Sequence, residues 1–167
     1  MAVRVTAEHD GTVDASLRDE SIGSSHPAKF LPAACLNARV KLKRVHHIAV
    51  IATDYERSKA FYLDVLGCAL LSEVYRAERD SWMGDLALNG EYLIELFSFP
   101  DPPARRSWPE STGLRHLAFA VDSVADARAE LLEKGVRCEE LRTDPHTGAA
   151  MMFFFDPDGQ PLELYEA

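Results

Sequence analysis

The stretches RVHHIAVIATDYERSKAFYLDVLG (residues 44–67) and GLRHLAFAVDSVADARAELLEKG (residues 113–135) decide the fold. Each begins with a histidine at the head of a short β-rich apolar run. Each then meets a polar residue suited to start a helix, and each helical stretch stops on a glycine, Gly67 or Gly135. In the first, Tyr55, Phe61, Tyr62, Val65 and Leu66 recur at helical spacing behind Thr53-Asp54. Three strand-like runs follow in each case. In the first half they are CALLSEVYR (68–76), GDLALN (84–89) and EYLIELFSF (91–99), with Asn89-Gly90 as a hairpin turn. In the second they are VRCEELR (136–142), MMFFFD (151–156) and PLELYE (161–166), with a turn at Asp156-Pro157-Asp158-Gly159.

One unit of strand, helix and three strands is thus used twice. His47 is followed 48 residues later by Glu95, and His116 is followed 47 residues later by Glu163; the two copies stand 69 and 68 residues apart at these positions. The expected fold is α+β, two βαβββ repeats forming paired curled mixed sheets around one concave site. Residues 1–43 show no sustained period and read as a flexible extension. Residues 44–167 read as one domain, with repeat one at 44–99, a Pro-rich linker at 100–113 and repeat two at 114–167.

The paired histidines and glutamates suggest the four protein ligands of one divalent ion. Alternate strand residues share a face, so His47 goes with Ala49 and Ile51, and Glu95 with Leu93, Phe97 and Phe99. A glutamate inside the apolar run Leu93-Ile94-Glu95-Leu96 needs a partner, because an unpaired buried charge is costly. His46 competes with His47, but strand alternation and the match to His116 favour His47 and turn His46 the other way. Imidazole with carboxylate suits Zn or Ni first, with Mn, Co or Fe as alternatives, and the lack of thiolate ligands disfavours a purely structural zinc site. An open site of this kind acts as a Lewis acid on a carbonyl or enediolate oxygen.

The chain carries 27 acidic against 18 basic residues, a net charge of −9, and 47% hydrophobic residues. An acidic body without a basic stripe argues against nucleic acid and anionic membrane as partners and leaves a small-molecule substrate. Cys35, Cys68 and Cys138 are odd in number and widely spaced, as reduced thiols are. No apolar run approaches a membrane span, and the acid-rich start suits neither a signal nor a transit peptide, so the cytoplasm is the expected compartment. Arg76, Arg79 and Trp82 in VYRAERDSWMGD are candidates for gripping an anionic or planar substrate, and Phe97 and Phe99 for an apolar wall.

The segments HHIAVIATDYERSKAFYLDVLG, YLIELF, LRHLAFAVD and DPDGQPLELYE resemble the vicinal oxygen chelate superfamily, the glyoxalase I-like proteins, over about residues 43–167. The resemblance implies βαβββ units and a His, Glu, His, Glu ligand set at His47, Glu95, His116 and Glu163. It implies lactoylglutathione-lyase-type chemistry, with Glu163 as general base and Glu95 as the alternative, on a small hemithioacetal or related substrate. It also implies a homodimer, in which the ligands come either from one chain or from two. The other activities it allows are an epimerase, an Fe(II) dioxygenase, or a non-enzymatic small-molecule-binding module. Glyoxalase I enzymes that use glutathione tend to carry an Arg four residues after the first ligand and an Asn four after the second. Ile51 and Phe99 stand there in this chain.

Overall fold

A computed structural model describes residues 40–167, of which Lys43–Ala167 form one compact unit. The expectation for the extension at 1–43 therefore lies almost wholly outside the described residues, as does Cys35. The first repeat runs β1 (Ile48–Ala52), α1 (Tyr55–Ala60), β2 (Ala69–Arg76), β3 (Ser81–Leu88) and β4 (Glu91–Ser98). The second runs β5 (Leu117–Val121), α2 (Val124–Glu133), β6 (Arg142–Thr143), β7 (Ala150–Phe155) and β8 (Pro161–Glu166). Each repeat makes a four-stranded mixed sheet, ordered β1-β4-β3-β2 and β5-β8-β7-β6. The α+β architecture of two βαβββ repeats is as the sequence predicts. No helix among the described residues is long and apolar enough to cross a membrane.

The local signals explain most element boundaries. Asp54 caps α1 by accepting from the Arg57 N–H, and Ser123 caps α2 by accepting from that of Asp126. Helix α1 loosens into a π-helical turn over Phe61–Val65 before Gly67 ends it in the left-handed region at φ 72°. Asn89 and Gly90 both have positive φ, 51° and 82°, as a two-residue type I′ hairpin requires.

Strand β6 departs from expectation. VRCEELR predicts a full strand, yet only Arg142–Thr143 pair with β7, besides an isolated bridge from Cys138 to Phe154. Arg128 on α2 donates its Nε–H to the Glu139 carbonyl at 3.0 Å and removes that acceptor from the sheet. Strand β3, by contrast, starts three residues earlier than its sequence suggests, at Ser81.

Both helices cover one face of the sheets. Tyr55, Tyr62, Leu86, Ile94 and Leu96 of the first repeat and Val124, Met152, Phe154, Leu162 and Leu164 of the second join in one buried cluster. Polar contacts tie the repeats across this seam. The Tyr62 hydroxyl donates to Asp156 at 3.1 Å, and both are buried. Asp158 accepts from the Thr53 N–H, the Ser58 hydroxyl and Arg57. Lys134, at the end of α2, donates to the carbonyls of Asp64 and Val65 where the first helix ends. Among the described residues neither helix packs on the opposite face of the sheets, and Glu95 and Glu163 lie on that face.

Candidate metal centre

In the first repeat β1 lies parallel to β4, with Ala49 facing Glu95 in the register. His47 precedes β1 by one residue, which brings its Nε2 to 3.3 Å from Glu95 Oε2. Its other nitrogen, Nδ1, is 2.9 Å from Nδ1 of His46. His46 is therefore not turned away, contrary to the alternation argument. Residues 45–47 are not yet strand, so strand parity does not govern them. The Tyr92 ring stands 5.1 Å from both imidazoles, and its hydroxyl donates to Asp85 at 2.7 Å. Ser72 donates to the other Asp85 oxygen at 2.6 Å. Burial first, and then the Asp85 carboxylate, push the Tyr92 phenol above its ordinary range and keep it a donor.

The second repeat reproduces the arrangement. Strand β5 lies parallel to β8 with Ala118 facing Glu163, and His116 Nε2 is 2.9 Å from Glu163 Oε2. The surroundings differ. Phe153 stands across from Glu163 in the β7–β8 register and meets the His116 ring edge-on at 5.2 Å. The Glu163 side chain is 9% exposed against 21% for Glu95. His116 Nδ1 is buried and lacks a partner among the described residues, so Nε2 is the nitrogen offered to the carboxylate. Tyr165, two residues after Glu163 on β8, donates its hydroxyl to Asp144 and also meets Thr147.

Two donors bound to one divalent ion at about 2.0–2.2 Å and roughly at right angles stand about 3 Å apart. The separations of 3.3 and 2.9 Å within the two pairs fit neighbouring ligands of such an ion. Asp85 also stands directly opposite Glu95 on β3, two like charges that a cation in front of Glu95 would relieve. The donor set thus suits a divalent metal. Among the described residues, however, no three His, Cys, Asp or Glu side chains gather as a ligand group. The sequence reading assembled four ligands, and the chain holds them as two separate pairs.

The other candidates are divided by the sheet. Arg76 lies over the rings of Phe97 and Phe99, at 4.7 and 5.6 Å, on the face that carries Glu95. Trp82 is on the opposite face, stacked against Tyr55 of α1 at 5.7 Å, because β3 begins at Ser81 and alternation sends Trp82 to the helix side. Arg79 is exposed in the turn Ala77–Arg79, away from that cluster. An open cleft of about 960 Å³ is lined by His116, Arg142, Phe153 and Phe155 of the second repeat, Ala49 and Ile51 of β1, and linker residues such as Trp108. Asp85 and Tyr92 were not singled out from the sequence. The available signal was Asp85 in the otherwise apolar β3, a carboxylate that needs partners.

Comparison with known proteins agrees with this architecture. The chain is 66% identical over 125 residues to the uncharacterized protein YaeR of Escherichia coli (strain K12), covering 75% of this chain and 97% of that protein. The crystal structure of a glyoxalase family protein from Enterococcus faecalis superposes with a TM-score of 0.70 at 47% identity, covering 74% of this chain and 98% of the other. More distant relatives include a lactoylglutathione lyase of Salmonella typhimurium, 30% identical over 132 residues with 74% and 93% coverage, and epimerases at about the same identity. Residues 44–164 match the model of the Glyoxalase/Bleomycin resistance protein/Dioxygenase superfamily, and the chain belongs to that superfamily.

Proposed function

We propose that this chain is a divalent-metal-dependent lyase or isomerase that moves a proton at a carbon next to a carbonyl. In this reading two copies share each site, with His47 and Glu95 of one facing His116 and Glu163 of the partner subunit. The observation that carries it is the presence of two His–Glu pairs, each at ligand spacing, that stay apart within one chain. A divalent ion held by these four groups would polarise the substrate carbonyl and stabilise the negative charge that develops when the proton leaves.

The chain's own residues do the rest. Glu163 takes the proton from carbon and returns it to the adjacent one, as a general base within reach of the reacting atom. Phe153 beside it limits water, which would otherwise exchange the proton. His46 and the Tyr92 ring hold His47, so that Nε2 faces Glu95. Zn or Ni remains the first choice of metal. The substrate is a small hemithioacetal or related carbonyl compound, and Ile51 and Phe99 favour a thiol moiety other than glutathione. Epimerisation is the second reading. It uses the same abstraction, and the near-identical geometry of the two pairs favours it by placing a second carboxylate, Glu95, for return of the proton.

Elemental analysis of two double variants tests the shared site. His47→Ala/Glu95→Ala and His116→Ala/Glu163→Ala should each purify without metal. Co-expressed in equal amounts, they should recover about a quarter of the wild-type metal, because half of the dimers are mixed and each of those has one complete site. A wild-type protein without metal removes the reading. Metal in the wild type with none recovered on mixing removes the sharing.

A further inference from the structure

We propose that Arg76 is an anion-recognition residue, and that the molecule taken by the first repeat carries a carboxylate or comparable oxyanion on a short apolar chain. The guanidinium is fixed from below and from one side. Phe97 and Phe99, stacked on each other at 5.8 Å, floor it, and its Nη2 donates to the Ser81 hydroxyl at 2.6 Å. Ser81 is fully buried and passes its own proton to the Ser98 carbonyl, so the anchor is itself anchored. Stacking on aromatic faces and a rigid fork of donors are what distinguish arginine as a binder of planar oxyanions.

Among the described residues the rest of the fork has no partner. Arg76 Nε is buried without a hydrogen bond, and the bond to Ser81 is the only one the Arg76 side chain makes among the described residues. A guanidinium has five N–H donors, and a buried donor left unpaired is costly. An oxyanion meeting Nε and a neighbouring nitrogen satisfies the orphan and neutralises the charge in one bidentate contact. Arg142, on β6, the second repeat's counterpart of β2, offers a contrast: it also lies over a phenylalanine, Phe153, but is paired with Glu139. Phe97, the ring nearer to the guanidinium, follows Glu95 by two residues on one face of β4, about 7 Å along the strand from the His47–Glu95 pair. Between them the exposed side chains are apolar, Ile51 and Val74 among them. The geometry selects a ligand with metal-binding oxygens at one end and an anion at the other, and in this respect the inference rests on the metal reading above.

The test uses the metal-loaded full chain and two probes that share a metal-chelating hydroxamate: succinic monohydroxamic acid and its uncharged amide. By calorimetry the wild type should bind the acid at least tenfold more tightly than the amide. Arg76→Met should abolish that preference while leaving metal content and amide affinity unchanged, and Arg76→Lys should keep part of it. No preference in the wild type, or a preference that survives Arg76→Met, overturns the proposal. Should the metal reading fail, neither hydroxamate binds in a metal-dependent way, and a second measurement on the metal-free chain decides. The Nε–H resonance of Arg76, assigned by its loss in Arg76→Met, should move saturably with succinate or inorganic phosphate. A resonance that ignores both anions, or that moves only on diluting the protein, assigns the fork to a contact between copies and overturns the proposal.

Discussion

The two repeats agree in backbone and disagree in setting. Both place a histidine just ahead of a parallel strand pair and a glutamate two steps into it, with Nε2 turned to the carboxylate. Around the first pair lie His46, Tyr92, Asp85 and Ser72, a polar set of interlocked hydrogen bonds. Around the second lies Phe153, and the carboxylate is more deeply buried. The duplication has preserved the spacing of the donor atoms and let everything behind them diverge. The wetter half suits holding and orienting, and the drier half suits a base that works on carbon.

Exchanging the charge on each glutamate is the sharpest way to break that division. Glu163→Gln is expected to lower turnover of methylglyoxal hemithioacetals by about 10²–10⁴-fold, the usual worth of a positioned base. Glu95→Gln should weaken metal binding by about 10-fold or more while costing less at saturating metal. Steady-state kinetics across a metal titration separate the two. If Glu95→Gln proves the more damaging at saturating metal, the base belongs to the first repeat and the comparison is inverted.

The repeats also solve one packing problem in two ways. Tyr55 of α1 lies over Gly84 of β3, where an added Cβ would meet its hydroxyl at 2.3 Å. The matching positions of the second repeat hold Val124 and Met152, both fully buried: a large residue on the helix and a small one on the strand have traded places. Gly84→Ala should cost about 1–3 kcal/mol by overpacking in urea unfolding. Combining Gly84→Met with Tyr55→Val rebuilds the second repeat's solution in the first. The double variant should then lose less than the sum of its parts. Additive losses would show that the two cores are not interchangeable.

What the sequence revealed depended on whether the cause was local. Asn89-Gly90, Gly67 and the caps Asp54 and Ser123 act within a few residues, and each could be read directly. The short β6 could not, because Arg128 reaches from another element to claim the Glu139 carbonyl. Trp82 lay outside the strand expected at 84–89 and so had no face assigned. Ser81, whose hydroxyl bonds across to the Ser98 carbonyl 17 residues away, extends β3 over it and places it with Gly84 and Leu86 on the helix side. The four ligand candidates were visible as spacings, whereas their separation into two pairs is a property of how the sheets are placed.

The mildest prediction sets an acid at the seam between repeats against one on the surface of the first. Burial raises the Asp156 carboxyl above its ordinary range, against the lowering effect of the Gln160 N–H and the Tyr62 hydroxyl. The folded state therefore holds that proton more tightly than the unfolded chain does. Its contribution to stability is full below the ordinary aspartate pKa of about 3.9 and is lost as pH rises through the raised value. Glu73 runs the other way. Its hydrogen bond with Lys59 lowers it, so its contribution is present above the ordinary glutamate range and fades as pH falls through the lowered value. Urea midpoints between pH 3 and 7 should show Asp156→Asn gaining on the wild type as pH rises, since the asparagine oxygen still accepts from Asp158 and Gln160. Glu73→Gln should lose about 0.5 kcal/mol at pH 7, the scale of a single ion pair near the surface, and nothing at the acid end. Parallel curves for the two variants would mean that the seam is as well solvated as the surface, and that the repeats are joined less tightly than Tyr62 and Asp158 suggest.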